Sequence, residues 1–386
     1  MDSKKIIYTI KGGDNNGWAL DQTLFYVKNA FEEKTNWIFS KSIRYADVVI
    51  FGWYNGFLEN RYLLNKNQIK ICILDNDTNH IYKTLLNDKY ISEIKIWLTH
   101  STKEKNILRE QGHDAFIMPY VKKLNASKKI ILEKEYTSML ASIERYKKDF
   151  KKKLIVSIQR DSSFINKEWI PKKQKNPQYL LDLYKESIKQ NLNYILVICG
   201  TRRHWITKEL DRLKLPYLFL GRKPFYLDDY LEKIPRDLIL EIIKKCDYSI
   251  VTSNWEGGPL CIIESLEVGK ACISTNVGFS QDLLSNELLL KGKLKEDIII
   301  LKNILSSESR SKIALRDSLE KYESYKRIDL KLILDKITYL ANKKNKKSNK
   351  YLTRLNIYLF DRFFNLIENI TIRSISFFKR KLGQYI

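Results

Sequence analysis

Histidine and cysteine are scarce in this chain of 386 residues, four of the one and five of the other. Cys72, Cys199, Cys246, Cys261 and Cys272 lie scattered, mostly within apolar runs, and show no metal-ligand spacing. They read as small core residues of a protein kept in a reducing compartment. The few histidines form no visible nucleophilic triad. No apolar run is long enough to span a bilayer. The start, Met1-Asp2-Ser3-Lys4-Lys5, lacks the apolar stretch of a secretory signal, so a cytoplasmic protein is expected. Gly12, Gly13 and Gly17 do not make Gly-x-Gly-x-x-Gly, which excludes the nicotinamide dinucleotide fingerprint. Asp228-Asp229 lacks the Asp-x-Asp spacing of a metal motif. No internal repeat stands out. Acidic residues are in deficit, 45 against 69 lysines and arginines, for a net charge of +24.

What is present is alternation. Apolar runs at Lys5–Ile10, Ala46–Phe51, Lys70–Leu74, Ile94–Thr99 and Ala115–Met118 read as strands of a first domain, residues 1–125. Those at Lys153–Ile158, Tyr194–Cys199, Tyr217–Leu220, Cys246–Ser253 and Lys270–Thr275 read as strands of a second, residues 153–340. Helical patterns separate them, the sequence signature of α/β domains with parallel sheets covered on both faces. A basic linker and helix, residues 126–152, joins the two. In such folds ligands bind at the carboxyl ends of the strands.

The segment Ser253-Asn254-Trp255-Glu256-Gly257-Gly258-Pro259-Leu260-Cys261-Ile262-Ile263-Glu264 is the most informative. A buried strand precedes it, two glycines open a turn, and a helix is expected with Pro259 in its first turn, where a missing N–H costs nothing. Bare N–H groups at a helix start favour an anion such as a diphosphate. Glu256 before the turn and Glu264 in the helix put one carboxylate within reach of a sugar hydroxyl and another within reach of a ribose diol. A nucleotide sugar satisfies all three features.

The run EGGPLCIIESLEVGKACISTNVGFSQDLL, residues 256–284, resembles the donor-site signature of retaining GT-B glycosyltransferases, family 4 in particular. That pattern is Glu, seven residues, Glu, a helix, a buried strand and a Val-Gly-Gly turn. This chain departs from it at Phe279, where the second glycine of the turn is expected, and at Gln159-Arg160, where Gly-Arg is usual. The resemblance implies two Rossmann-like domains facing across a cleft. It assigns Arg160 and Lys175 to the donor diphosphate, Glu256 to sugar hydroxyls and Glu264 to the ribose. Lys172 and Lys173 stand beside Lys175 as alternatives. Gly257, Gly258, Pro259 and Leu260 complete the donor turn, and Gly200, Gly221 and Arg222 become neighbours of base or ribose. Gly12 and Gly13 become contacts for diphosphate or acceptor. Asp75, Asp77 and His80 are all placed to lie near the transferred sugar, and the spacing does not choose among them. The activity implied is a hexosyl transfer that needs no metal or other cofactor, since arginine and lysine neutralise the leaving group.

Charge completes the reading. Residues 341–386 carry 11 basic and 2 acidic side chains, and Leu352, Leu355, Leu359, Phe363, Leu366 and Ile370 recur at helical spacing. A basic amphipathic tail suits an anionic membrane surface, or alternatively packing against the first domain. The expected enzyme is peripheral on the inner face of the cell membrane and builds a lipopolysaccharide or capsule on a lipid-linked glycan. A non-catalytic glycan-binding or scaffold protein is the alternative. A nucleic-acid partner is the other, although no recognition module is visible.

Overall fold

Strands apolar at every position cannot present a wet face, and Val48–Phe51 and Tyr194–Cys199 are buried along their whole length. The computed structural model describes residues 6–12, 19–74, 88–119, 134–221, 234–328 and 330–345. The first domain holds β1 (Ile7–Lys11), β2 (Ile38–Phe39), β3 (Val48–Phe51), β4 (Ile69–Leu74), β5 (Ile96–Thr99) and β6 (Ala115–Ile117) in one parallel sheet, ordered β2-β1-β3-β4-β5-β6. Helices α1 (Ala19–Lys34), α2 (Tyr54–Asn60) and α3 (Thr102–Glu110) lie between them in sequence. Val48 and Ile50 of β3 enter one apolar cluster, and Val49 and Phe51 enter another, so both faces of the sheet are covered.

The second domain begins with α4 (Lys134–Phe150) and β7 (Lys153–Ser157), followed by β8 (Ser162–Ile165) and β9 (Glu168–Pro171). It continues through α5 (Pro177–Lys189), β10 (Tyr194–Cys199), α6 (His204–Arg212), β11 (Tyr217–Leu220), α7 (Arg236–Lys245) and β12 (Tyr248–Val251). It ends with α8 (Leu260–Glu267), β13 (Ala271–Thr275), α9 (Ser280–Leu283), β14 (Leu289–Leu290), α10 (Leu294–Ser306) and α11 (Glu308–Lys326). The sheet is parallel, ordered β11-β10-β7-β12-β13-β14. Chain direction across the sheet reverses between β7 and β12, the switch point where the following loops part and leave a crevice.

Three features depart from the sequence reading. The stretch after Arg160, given no element from sequence, forms a hairpin: β8 and β9 pair antiparallel, with Phe164 opposite Trp169. Helix α4, read as part of the connection, buries Leu140 and Ile143 against Leu154 and Val156 of β7 and so covers the second sheet. The last described helix, α12 (Lys331–Asn345), begins within the residues assigned to the second domain and runs into the tail, yet Leu330, Ile333, Leu334, Ile337 and Ala341 pack with Ile69 and Ile71 of the first. Their spacing is that of one helical face. Lys336 adds an ion pair with Asp114 at 2.9 Å. The domains also meet where Tyr325 Oη donates to the His100 carbonyl at 3.1 Å and Thr102 N to Asp282 Oδ2 at 2.7 Å.

Candidate active site

The switch point is built by side chains that tie three loops together. Gln159, just past β7, donates from Nε2 to the Lys175 carbonyl at 2.9 Å and to Thr252 Oγ1 at 3.0 Å. Its Oε1 lies 3.1 Å from Ser253 Oγ. A glycine here could make none of these bonds, so the departure at Gln159 has a structural use. Asn254 fastens the loop after β12 to the Lys172–Asn176 turn, through N to the Gln174 carbonyl, Nδ2 to the Lys173 carbonyl and Oδ1 from Asn176, each at 2.8 Å. Asn176 adopts a left-handed conformation, φ 47°, and caps α5, with Pro177 opening the helix. Both residue types suit those positions.

This scaffold brings Lys175 onto Glu256 as an ion pair, both side chains largely buried. Ser253 Oγ also lies 2.7 Å from the same carboxylate oxygen, Glu256 Oε1. A carboxylate this secluded requires such partners, because its desolvation is otherwise uncompensated. Around the pair stand more cations. Burial, then the charges of Lys175, Arg160 and Arg202, push the Lys172 ammonium down to about 8, with Glu256 opposing. Four cations gathered around one acid make a site that favours an incoming polyanion. The sequence reading held Lys172 only as an alternative to Lys175 and missed Arg202, which follows β10 and reaches this crevice because β10 lies beside β7.

The base of the hairpin fixes these cations. Asp161 and Arg203, both about 1% exposed, pair at 3.1 Å, and Arg203 Nη2 donates to Ser157 Oγ at 2.9 Å. Burial raises the Asp161 carboxyl to about 6 against the opposing pull of Arg203. Lys172 N donates to the Asp161 carbonyl at 2.7 Å, and Trp169 stacks on His204 at 3.8 Å.

The glycine turn sits on a packed floor. A Cβ on Gly258 would overlap the Phe279 ring, and one on Gly278, whose φ is +52°, would overlap the Gly257 carbonyl. Phe279 is fully buried and packs toward Tyr325 at 6.2 Å between ring centroids. Its bulk therefore lies beneath the turn, in the space Gly258 leaves open. Helix α8 starts at Leu260, with Pro259 as its N-cap rather than inside the first turn, and no side-chain cap bond. The first-turn N–H groups thus have no side-chain cap.

Glu264 is not simply open to a ribose: Arg236 Nε lies 3.2 Å from its Oε1. Gly200 and Gly221 end β10 and β11 on the same carboxyl edge as Arg160, Lys175 and Glu256. Gly12 ends β1 in the other sheet, against the Trp53 indole. Gly13, Asp75, Asp77, His80 and Arg222 lie outside the described residues, as does the tail from residue 346. Among the described residues no three His, Cys, Asp or Glu side chains gather as a metal site, and no helix is long and apolar enough to cross a membrane.

Residues 170–299 match the family described as Glycosyl transferases group 1. Over 148 residues the chain is 30% identical to the UDP-Gal:alpha-D-GlcNAc-diphosphoundecaprenol alpha-1,3-galactosyltransferase of Escherichia coli, a stretch covering 36% of this chain and 35% of that enzyme. The chain thus spans about a third of the length of the curated relative it matches. Among solved structures it is similar to HepE of Anabaena in complex with UDP and glucose, with a TM-score of 0.57 and 10% identity over 89% of this chain and 99% of that one. It is also similar to TarM of S. aureus, in complex with Fondaparinux, alpha-GlcNAc-glycerol and UDP, with a TM-score of 0.54 and 13% identity over 84% of this chain and 59% of that one. The fold is GT-B.

Proposed function

We propose that this chain is a retaining glycosyltransferase that moves a hexose from a nucleotide sugar to a hydroxyl of a lipid-linked glycan, in the assembly of a bacterial surface polysaccharide such as lipopolysaccharide or capsule. The observation that carries the reading is the Lys175–Glu256 pair set among Arg160, Lys172 and Arg202 at the β7–β12 switch point. In the reaction the bond from the anomeric carbon to the distal phosphate oxygen breaks, and its electron pair leaves on the diphosphate. The acceptor oxygen bonds to the same face of that carbon and gives its proton to the departing phosphate. The cations and the turn at Gly257 and Gly258 stabilise the charge as it develops, an effect worth roughly 3 kcal/mol per donor group. Lys175 and Ser253 both engage Glu256 Oε1, and Oε2, which no described residue engages, is left to accept from a sugar hydroxyl.

With the leaving charge taken by side chains, the reaction proceeds without a metal ion. The lipid-linked acceptor is supported by the name of the Escherichia coli relative, which carries a diphosphoundecaprenol substrate. The basic tail at 341–386 supports work at the inner, anionic face of the membrane. The test is release of nucleoside diphosphate from a panel of UDP- and GDP-sugars, with and without EDTA, in the presence of lipid-linked glycan. Turnover with at least one donor is expected in both conditions. No turnover with any donor, accompanied by tight glycan binding, would favour the non-catalytic alternative.

A further inference from the structure

Past Glu256, away from the cations, the carboxyl edge of the second sheet opens into a cavity of about 530 Å³. Its polar lining includes Asn254, Thr275, Asn276, Gln281, Asn286 and Lys291, from the ends of β12, β13 and β14 and from α9 and the turn after it, over apolar patches at Val277, Leu289 and Leu290. The volume lies in the range of small-molecule sites. Among the described residues no carboxylate and no aromatic ring lines it, and four carboxamides do. A carboxamide carries both donors and acceptors, which matches the vicinal hydroxyls of an uncharged sugar, while apolar patches suit its C–H faces. A nucleobase would lack a ring to stack on, and a diphosphate would find one lysine here against four cations in the neighbouring crevice.

The cavity is held open by contacts at its rim, the Asn254 amide among them, since both its ends bond the Lys172–Asn176 turn. Thr275 Oγ1 donates to the Ser253 carbonyl at 2.6 Å, and the Asp297 carboxylate accepts from Lys291 N at 2.6 Å and Gly292 N at 2.9 Å. Asn276 Nδ2 donates a long bond of 3.5 Å to Gln281 Oε1, and the Asn286 amide makes no hydrogen bond among the described residues. Ser253 and Asn254 border both this cavity and the Glu256 loop. Asp282, next to Gln281, is the residue that Thr102 of the first domain touches, so the cavity adjoins the line where the domains meet.

We propose that this cavity is a subsite for an uncharged saccharide unit, and, resting on the glycosyltransferase reading, that the unit belongs to the glycan acceptor. The full chain is titrated by calorimetry and ligand-observed NMR with methyl α-galactopyranoside, methyl N-acetyl-α-glucosaminide and lactose, and separately with UDP and GDP. At least one glycoside is expected to bind. Asn286→Leu and Gln281→Ala, both checked for an unchanged thermal transition, are each expected to weaken that binding about tenfold or more while leaving nucleotide affinity within twofold. Failure of all three glycosides to bind, equal binding by wild type and both variants, or a loss of nucleotide affinity in the variants overturns the subsite. Glycoside binding that the variants abolish, in a protein that binds neither nucleotide, upholds the cavity and instead overturns the donor-site reading.

Discussion

Arg236 Nε lies 3.2 Å from Glu264 Oε1, an ion pair between the first turn of α7 and the second turn of α8. The acid assigned to the ribose is thus also a structural partner. Glu264→Ala strands a mostly buried guanidinium and is expected to cost about 1–2 kcal/mol of stability, less than a fully buried pair would. It also weakens donor binding. Arg236→Met with Glu264→Ala is expected to recover most of the stability and none of the nucleotide affinity. Urea unfolding and nucleotide titration on the three variants check this, and recovery of both properties would assign Glu264 a purely structural part.

Lys172 makes donor binding sensitive to alkaline pH. Its folded-state pKa is depressed to about 8, so the ammonium is charged below that pH and neutral above it. Affinity for UDP is expected to fall as pH rises through about 8, and proton uptake on binding to peak near that pH, because the bound diphosphate favours the charged form. Lys172→Met flattens both dependences. Calorimetry in buffers of different ionisation enthalpy measures the uptake.

Most of the fold was legible because parallel strands buried on both faces announce themselves as unbroken apolar runs, as at Val48–Phe51 and Tyr194–Cys199. The acids and glycines of the donor turn were legible because their spacing is local. The hairpin at Ser162–Pro171 was not, since its exposed Phe164, Ile165 and Ile170 stand among polar residues and give no clean alternation. Arg202 and Arg236 were invisible for another reason: each reaches the site from a different strand or helix, and only the order β11-β10-β7-β12 sets Arg202 beside Lys172. Phe279 departs in sequence from the expected second glycine of the turn, and in the structure it is the floor beneath Gly258.

Gly258 leaves no room for a side chain. Gly258→Ala would drive a methyl group into the buried Phe279 ring, and the turn or the ring must shift. A destabilisation of about 1–3 kcal/mol and a loss of turnover are expected. Phe279→Leu in the same chain relieves part of the stability loss, which thermal melts detect. Additive losses in the double variant would contradict the packing described here.

His100 ties stability to acid. Burial holds its imidazole down to about 4, while Nδ1 bonds the Met118 carbonyl at 2.9 Å. The unfolded chain takes up this proton near pH 6.5 and the folded one only near 4, so folding weakens progressively as pH falls through that window, by about 3 kcal/mol at its lower end. Below pH 4 this contribution no longer changes. Unfolding curves for wild type and His100→Gln between pH 7 and 4 should converge toward the acid end.

The central claim is that the cations of the β7–β12 crevice grip the diphosphate of a nucleotide sugar. Calorimetric titration of UDP and GDP into wild type, Lys175→Met and Lys172→Met at fixed ionic strength tests it most directly. Binding of at least one nucleotide by wild type, weakened about tenfold or more in each variant, with the thermal transition in place for Lys172→Met and lowered for Lys175→Met because Glu256 loses its partner, is the predicted result. Equal nucleotide affinity in all three proteins would contradict it.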